Sequence, residues 1–371
     1  MNVCPLIFEP ILKPRIWGGR KLRELLGKCV QPSALGARAS DEAEPIGESW
    51  EVVDLETDQG IARSGPARGR TLGELVRDWG RGLLGGAAPV EGRFPLMVKF
   101  LDAREALSVQ VHPRESSTRP DGTRARLKHE MWYIVAAEPD AVIYRGLQPG
   151  VDRARLRQAL DAGEVESVLR AYPAKPGAAY YLPAGVVHAL GGGAVVAEVT
   201  TVSDTTYRLY DWGRVDPATG APRTLHVEEA LASIDFAPPD PAFERRSHTT
   251  SMWTTVTRLI TSDAFVVERV RMPATLEMEI PYAGLVLWIV LEGRGAVGYK
   301  GAAQRMAFGP GDVVLLPAEL PGGVLQTHTD CMWLEVTIPT PSDLAEFERV
   351  PAERLRSSGG AVQLNVPGAG R

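Results

Sequence analysis

The stretch PGAAYYLPA, residues 176–184, recurs in the second half of the chain as PGDVVLLPA, residues 310–318. Each copy is a proline-glycine turn followed by an apolar run that ends at a second proline, which is typical of a strand between turns. Matching segments precede each copy: WYIV and YRG at residues 132–135 and 144–146, and WIVL and YKG at residues 288–291 and 299–301. The shared order and similar local spacing predict a small β-barrel that is duplicated within the chain.

The rest of the sequence is typical of a mainly β protein. Its 371 residues include 29 prolines and 38 glycines, which separate many short strand-forming runs. Helical periodicity appears instead at residues 71–84, 152–170 and 226–234, and residues 31–47 show no periodicity and predict a surface loop. We therefore expect two cupin-type β-barrels of the jelly-roll kind with a few added helices. The first barrel would cover residues 1–246 and the second residues 247–371.

Composition argues against several classes of protein. The chain is 44% hydrophobic, enough for a packed core, and its net charge of −5 with no long basic block argues against a nucleic-acid surface. Its 3 cysteines are far apart and show no CxxC spacing, so neither a disulfide framework nor a thiolate metal site is indicated. Because no signal peptide or membrane-spanning run is recognisable, we expect a cytoplasmic protein that binds neither nucleic acid nor a membrane.

Candidate metal ligands occur in only one copy of the repeat. After LPA the first copy reads GVVHAL and the second ELPGGV, so His188 has no counterpart, and QVH and KHE likewise occur only in the first half. In a strand, Gln110 and His112 project to the same face. Scaffold residues should recur in both copies, whereas site residues need not. Two imidazoles, a carboxylate and an amide oxygen suit a divalent transition metal, so Gln110, His112, Glu130 and His188 predict one metal site per chain.

Six motifs, in this order, make the chain resemble the type I phosphomannose isomerases in their shorter bacterial form. They are IWGG, GESWE, LSVQVHP, KHEMW, LPAGVVHAL and SDTTYR, at residues 16–19, 47–51, 107–113, 128–132, 182–190 and 203–208. The loop over residues 115–127 has no special match to that family. The resemblance implies a metal-dependent aldose-ketose isomerase that interconverts mannose 6-phosphate and fructose 6-phosphate through an enediol(ate). It also implies that the four candidate ligands hold one zinc ion, although other divalent transition metals would suit the same atoms.

The resemblance further implies roles for residues around the metal. Ser108, Lys128 and Arg208 would line the substrate site, Arg208 and Lys128 are also candidates for catalysis, and Glu198 stands where similar enzymes place a carboxylate proposed for proton transfer. Arg208 offers a planar fork for phosphate and Lys128 a point charge. We expect the Ser108 hydroxyl on the strand face opposite Gln110 or at the edge of the strand.

Several points stay open at the level of sequence. The proton could be transferred by Lys128 instead, and Glu198 could be structural. A sugar-binding or regulatory cupin without turnover is a second possible function, against which Lys128, Glu198 and Arg208 together argue. An isomerase for a different aldose is a third, because fold resemblance does not separate substrates. We expect a monomer or weak homodimer whose partner is a small sugar phosphate, and YDWGR predicts an ion pair between Asp211 and Arg214.

Overall fold

The computed structural model describes residues 3–28, 45–118, 122, 124–216, 219–244 and 246–339, and strands dominate it. The strands of the first half are β1 (Ile11–Gly19), β2 (Ile46–Val52), β3 (Leu96–Ala103), β4 (Val109–Val111), β5 (Ser117–Thr118), β6 (Arg124–Ala125), β7 (Glu130–Ala137), β8 (Val142–Leu147), β9 (Leu169–Pro173), β10 (Ala179–Leu182), β11 (His188–Leu190), β12 (Ala194–Thr201), β13 (Tyr207–Tyr210), β14 (Val215–Asp216) and β15 (Ala221–Pro222). Those of the second half are β16 (Ser247–Thr250), β17 (Thr255–Thr261), β18 (Val266–Met272), β19 (Glu277–Glu279), β20 (Val286–Glu292), β21 (Gly295–Gly298), β22 (Met306–Phe308), β23 (Val313–Leu316), β24 (Val324–Thr327) and β25 (Cys331–Thr337). The expectation of a mainly β fold is confirmed.

The helices are α1 (Lys21–Leu26), α2 (Leu72–Trp79), α3 (Arg81–Leu84), α4 (Arg153–Ala162) and α5 (Val227–Ser233). All three segments with helical periodicity contain a helix, but the first is divided at Gly80, which takes the positive φ of 47° that favours glycine. A capping box between Thr71 and Glu74 begins α2. The short α1 was not predicted, because six residues show too little periodicity. Most of the expected loop at residues 31–47 lies outside the described residues, but Ile46 and Gly47 belong to β2.

The two halves have the same strand order. A six-stranded sheet in the first half runs β1-β2-β3-β12-β7-β10, and its counterpart in the second half runs β16-β17-β18-β25-β20-β23. Each half adds a smaller sheet, β13-β4-β11-β8-β9 in the first and β19-β24-β21-β22 in the second. Matching the strands in sequence order relates both pairs of sheets, so the duplication predicted from the LPA segments extends to the topology. The helical insertion falls between β8 and β9, where the first copy has its longer gap.

The hydrophobic core joins the two halves, and the candidate ligands belong to the two sheets of the first half. One hydrophobic cluster contains buried residues of both halves, including Phe100, Val199, Phe265 and Leu287. Near the start of the chain, the Leu6 N–H donates to the carbonyl of Leu315, 2.9 Å away, in the second half. Within the described residues, no helix is long and apolar enough to cross a membrane.

Candidate metal centre and substrate cleft

Three of the four predicted metal ligands meet between the two sheets of the first half. His188 is the first residue of β11 and His112 follows β4, both in the smaller sheet, whereas Glu130 begins β7 in the six-stranded sheet. All three side chains are buried. One nitrogen or oxygen atom from each lies within 4.8 Å of the others, which makes them a group able to hold a metal ion. Sheet pairing thus brings together residues as far apart in sequence as His112 and His188.

The hydrogen bonds of the two histidines define their tautomer. His112 Nδ1 is 2.9 Å from the carbonyl oxygen of Thr205, and His188 Nδ1 is 2.9 Å from that of Val186. A carbonyl can only accept, so each Nδ1 carries a proton, and in its neutral, metal-binding form each ring presents a lone pair at Nε2. Those two Nε2 atoms lie 3.2 Å and 3.3 Å from the two carboxylate oxygens of Glu130. Lone pairs therefore face a carboxylate, an arrangement that a bound cation stabilises.

Burial and charge hold these groups in the forms that bind metal. Burial, aided by the charge of Lys128, lowers the pKa of His112 to about 4 although Glu130 opposes it, so this ring is neutral at pH 7. For Glu130 burial favours the protonated form, but Lys128 and His112 outweigh it and bring the pKa well below its usual range. Lys128 Nζ is 2.5 Å from Glu130 Oε1. Although burial opposes the charge of Lys128, Glu130 and Glu198 raise its pKa, so it stays an ammonium.

Gln110 completes the set of four at the edge of this cluster. It is the Cα partner of His188 across β4 and β11, and its Nε2 lies 3.3 Å from His188 Nε2, to which it donates. The oxygen and nitrogen of an amide exchange places by a half-turn of the terminal torsion, which would turn Oε1 toward the three other ligands. Among the described residues, His112 Nε2 and Glu130 Oε2 are buried without a hydrogen-bond partner. This donor set fits a divalent transition metal.

A cleft of about 520 Å³ opens beside the cluster and contains every other predicted site residue. Its lining includes Ser108, Gln110, Lys128, Glu130, Glu198 and Arg208. Ser108 directly precedes β4 and lines the cleft together with Gln110, so it lies at the edge of the strand, the second of the two placements expected for it. The lining also includes charged residues that sequence reasoning did not select, namely Arg15, Glu48, Lys99, Asp204, Asp216 and Arg223. Asp204 could have been found, because it belongs to the same SDTTYR segment as Arg208.

Glu198 lies in the middle of β12, enclosed by two neighbouring strands. Only 4% of it is exposed, and its Cα partners are Lys99 on β3 and Trp132 on β7. The Trp132 indole N–H donates to Glu198 Oε2 over 2.9 Å. Burial and then the charge of Glu130 raise the pKa of Glu198 to about 7, against the opposing charges of Lys99 and Lys128. This carboxyl can exchange a proton near neutral pH.

The second half contains a counterpart of Glu198, which the sequence comparison had not identified. Glu335 on β25 is the Cα partner of Trp288 on β20, as Glu198 is of Trp132. Burial raises the pKa of Glu335 to about 7 as well, helped by Glu268, although the Tyr282 hydroxyl lowers it. The carboxylate and its tryptophan thus recur in both halves. What differs is the neighbour on the other strand, which is Lys99 in the first half and Glu268 in the second.

Lys99 is a buried cation that stands among three carboxylates. Its Nζ lies 4.0 Å from Glu48, 3.9 Å from Glu198 and 3.7 Å from Asp204, and 4.4 Å from the centre of the Trp50 ring. The sequence did offer a signal for Lys99 as a site residue: it stands at the centre of the apolar run FPLMVKFLDA, and a charge at the core of a strand needs a partner.

Arg208 lies on β13, the strand next to β4. Its Nη1 donates to the Thr224 carbonyl over 2.8 Å, while its Nε is buried without a hydrogen-bond partner. Nearby, Asp211 accepts from Arg214 over 2.5 Å, as YDWGR predicted, and from two nitrogens of Arg223 over 2.7 Å and 2.5 Å. Burial and then the charge of Arg223 lower the pKa of Arg208.

Comparison with known proteins finds isomerases over nearly the whole chain. Residues 6–134 match the sequence model of the phosphomannose isomerase type I catalytic domain. Mannose-6-phosphate isomerase ManA of Bacillus subtilis is 34% identical over 335 residues, 90% of this chain and 99% of that protein. The crystal structure of the mannose 6-phosphate isomerase from Bacillus subtilis matches with a TM-score of 0.78 at 29% identity, over 91% of this chain and 100% of that one. A mannose 6-phosphate isomerase structure described as bound with zinc and yttrium shares the fold, with a TM-score of 0.64 at 16% identity over 90% of this chain and 99% of that one.

Proposed function

Because this chain belongs to the type I phosphomannose isomerase family, we propose that it interconverts mannose 6-phosphate and fructose 6-phosphate. The observation that carries the proposal is the cleft itself. Glu130, the carboxylate at which the lone pairs of the buried His-Glu-His cluster are directed, lines the cleft, and arginine and lysine side chains line it alongside acidic and apolar residues. An open-chain sugar phosphate needs a site of this composition, with a cation near the carbonyl and cationic donors for the phosphoryl group.

The metal is proposed to be one divalent ion per chain, zinc in the first instance. Gln110, His112, Glu130 and His188 would hold it, with the amide of Gln110 turned to present its oxygen. When bound, such an ion supplies Lewis acidity beside the C1 and C2 oxygens, where negative charge develops. No second group of this kind occurs among the described residues, which supports assigning the ligands to a catalytic unit over residues 1–246 and none to residues 247–371.

Substrate contacts are proposed for Ser108, Lys128 and Arg208. Lys128 forms an ion pair with Glu130, so its ammonium would lie near the sugar carbonyl. The sequence had instead suggested its point charge as a donor to the phosphate. The raised pKa of Lys128 argues against it as the base. Glu198 is the proposed base, which would take a proton from C2 of the aldose and return it to C1. Arg208 would bind the phosphoryl group or the developing charge.

A coupled assay with the intact protein tests the proposal. Mannose 6-phosphate, mannose and ribose 5-phosphate are offered in turn, with added zinc and after chelation. We expect turnover of mannose 6-phosphate that depends on metal and is far slower with mannose. Preference for ribose 5-phosphate would show an isomerase for a different aldose, and tight sugar binding without turnover of any of the three would show a binding protein. The oligomeric state, monomer or weak homodimer, stays a prediction for light scattering.

A further inference from the structure

The smaller sheet of the first half orders the cleft along one direction. β11, β4 and β13 are neighbours, and His188, Gln110 and Arg208 are Cα partners in one row across them. Neighbouring strands are about 4.8 Å apart, so the backbone of Arg208 lies about 10 Å from that of His188. This distance is of the same order as the length of an open-chain hexose phosphate. A sugar whose reacting carbons lie at the metal ligands would therefore extend its phosphoryl end toward Arg208.

Arg223 belongs to the segment that lies beside β13, on the side away from the metal ligands. The His226 N–H donates to the Arg208 carbonyl over 2.7 Å, and Thr224 accepts from the Arg208 side chain, so this segment lies on the side of β13 away from β4. Arg223 precedes Thr224 directly and lines the same cleft as Arg208. The metal ligands and Arg223 thus lie on opposite sides of β13.

Asp211 holds the Arg223 guanidinium by two hydrogen bonds, from Nε and Nη2, at a position where Arg223 lines the cleft. The same carboxylate also binds Arg214, so one negative charge is shared by two cations. Two guanidinium groups, those of Arg208 and Arg223, line the cleft together with the carboxylate of Asp216. The excess positive charge and the unpartnered Nε of Arg208 suit an oxygen-rich dianion.

We propose that Arg223, positioned by Asp211, binds the phosphoryl group of the substrate together with Arg208 and determines the preference for a phosphorylated sugar. This inference rests on the proposed isomerase function and adds a residue that the family motifs do not contain. Arg223 is a specificity residue rather than a member of the proton-transfer machinery, because it lies beyond Arg208 from the metal ligands.

The experiment compares Arg223→Gln and Arg223→Lys with a matched control, Arg214→Gln, in the full chain. Arg214→Gln also removes one guanidinium from Asp211, but Arg214 does not line the cleft. Three quantities are measured: KM and kcat for mannose 6-phosphate, the rate with mannose, and the dissociation constant of inorganic phosphate by calorimetry. We expect Arg223→Gln to raise KM and the phosphate dissociation constant about tenfold, the scale of one charge-assisted hydrogen bond, with kcat and the mannose rate little changed. Arg223→Lys should show a smaller loss, because it keeps the charge without the fork.

Phosphate affinity and KM equal to those of the unmodified protein in both Arg223 variants would overturn the assignment. An equal loss in Arg214→Gln would overturn it too, because the effect would then act through Asp211. Failure of the proposed function looks different: the unmodified protein would not turn over mannose 6-phosphate. Phosphate binding would still decide the role of Arg223 in that case, since it needs no turnover.

Discussion

Replacing Glu198 by glutamine should lower activity and raise stability at the same time. Glutamine has nearly the same shape as glutamate and can still accept the hydrogen bond from Trp132. It cannot accept a proton from carbon, so kcat should fall by roughly 10²-fold or more, the scale of a lost general base. Metal content and sugar binding should be retained, and solvent deuterium should no longer enter C1 or C2.

The stability change follows from the pKa of Glu198. In the folded chain it is about 7, against an ordinary value of 4.5. Between these pH values the unfolded chain has released the proton while the folded chain still holds it, so the free energy of unfolding falls as pH rises. The whole difference corresponds to on the order of 3 kcal/mol at pH 8, lost between about pH 4.5 and 7. Glutamine removes this loss, so metal-free Glu198→Gln should be more stable than the unmodified protein above pH 7. This difference should disappear below pH 4.5, where the folded and unfolded forms of the unmodified protein both hold the proton.

Urea denaturation of chelated protein at pH 4.5 and pH 8 measures the stability, and the coupled assay measures kcat in zinc-replete protein. Glu335→Gln is the matched control, because this buried carboxyl is paired with Trp288 in the same register and also has a pKa near 7. It should gain stability in the same way and keep full activity. If Glu198→Gln were instead less stable at pH 8 with near-normal kcat and normal deuterium exchange, Glu198 would be scaffold like its counterpart, and the base would be another group.

Three further outcomes are expected. His188→Ala should lose both bound metal and activity, whereas His328→Ala, a change at an exposed residue, should keep both in elemental analysis and the coupled assay. Two tightly bound equivalents of metal per chain, or full activity after chelation, would contradict one functional metal site. Arg208→Lys should lower kcat/KM for mannose 6-phosphate because an ammonium does not replace a planar fork, and an unchanged value would show that the guanidinium is dispensable. Lys28→Met should lower the free energy of unfolding by about 3–5 kcal/mol, since it leaves the Glu51 carboxylate, 2.7 Å away, buried without its cation; a loss under about 1 kcal/mol in urea denaturation would show that Glu51 accepts a proton at little cost.

The sequence alone was sufficient for the repeated β architecture and for the identity of the candidate metal ligands. Turns made by proline and glycine and the alternation within strands act over a few residues, so PGAAYYLPA and PGDVVLLPA carry their structure locally. The histidines could be singled out because the second copy of the repeat lacks them, which shows that the scaffold itself does not require them. The comparison of the two copies was incomplete for Glu198. Its counterpart Glu335 lies in β25, and it becomes recognisable only through its pairing with Trp288.

Tertiary structure decided which charges face one another. Lys99 meets Glu48, Glu198 and Asp204 only because β3 lies between β2 and β12, and Arg223 reaches the cleft only because its segment follows the edge of β13. No periodicity in the sequence encodes such contacts, since the energy of a buried charge depends on partners that sheet pairing brings from distant parts of the chain. The residue types therefore predicted the chemistry of the site, whereas the direction of the cleft, from the ligands of β11 and β4 to the arginines beyond β13, was determined by the pairing of the strands.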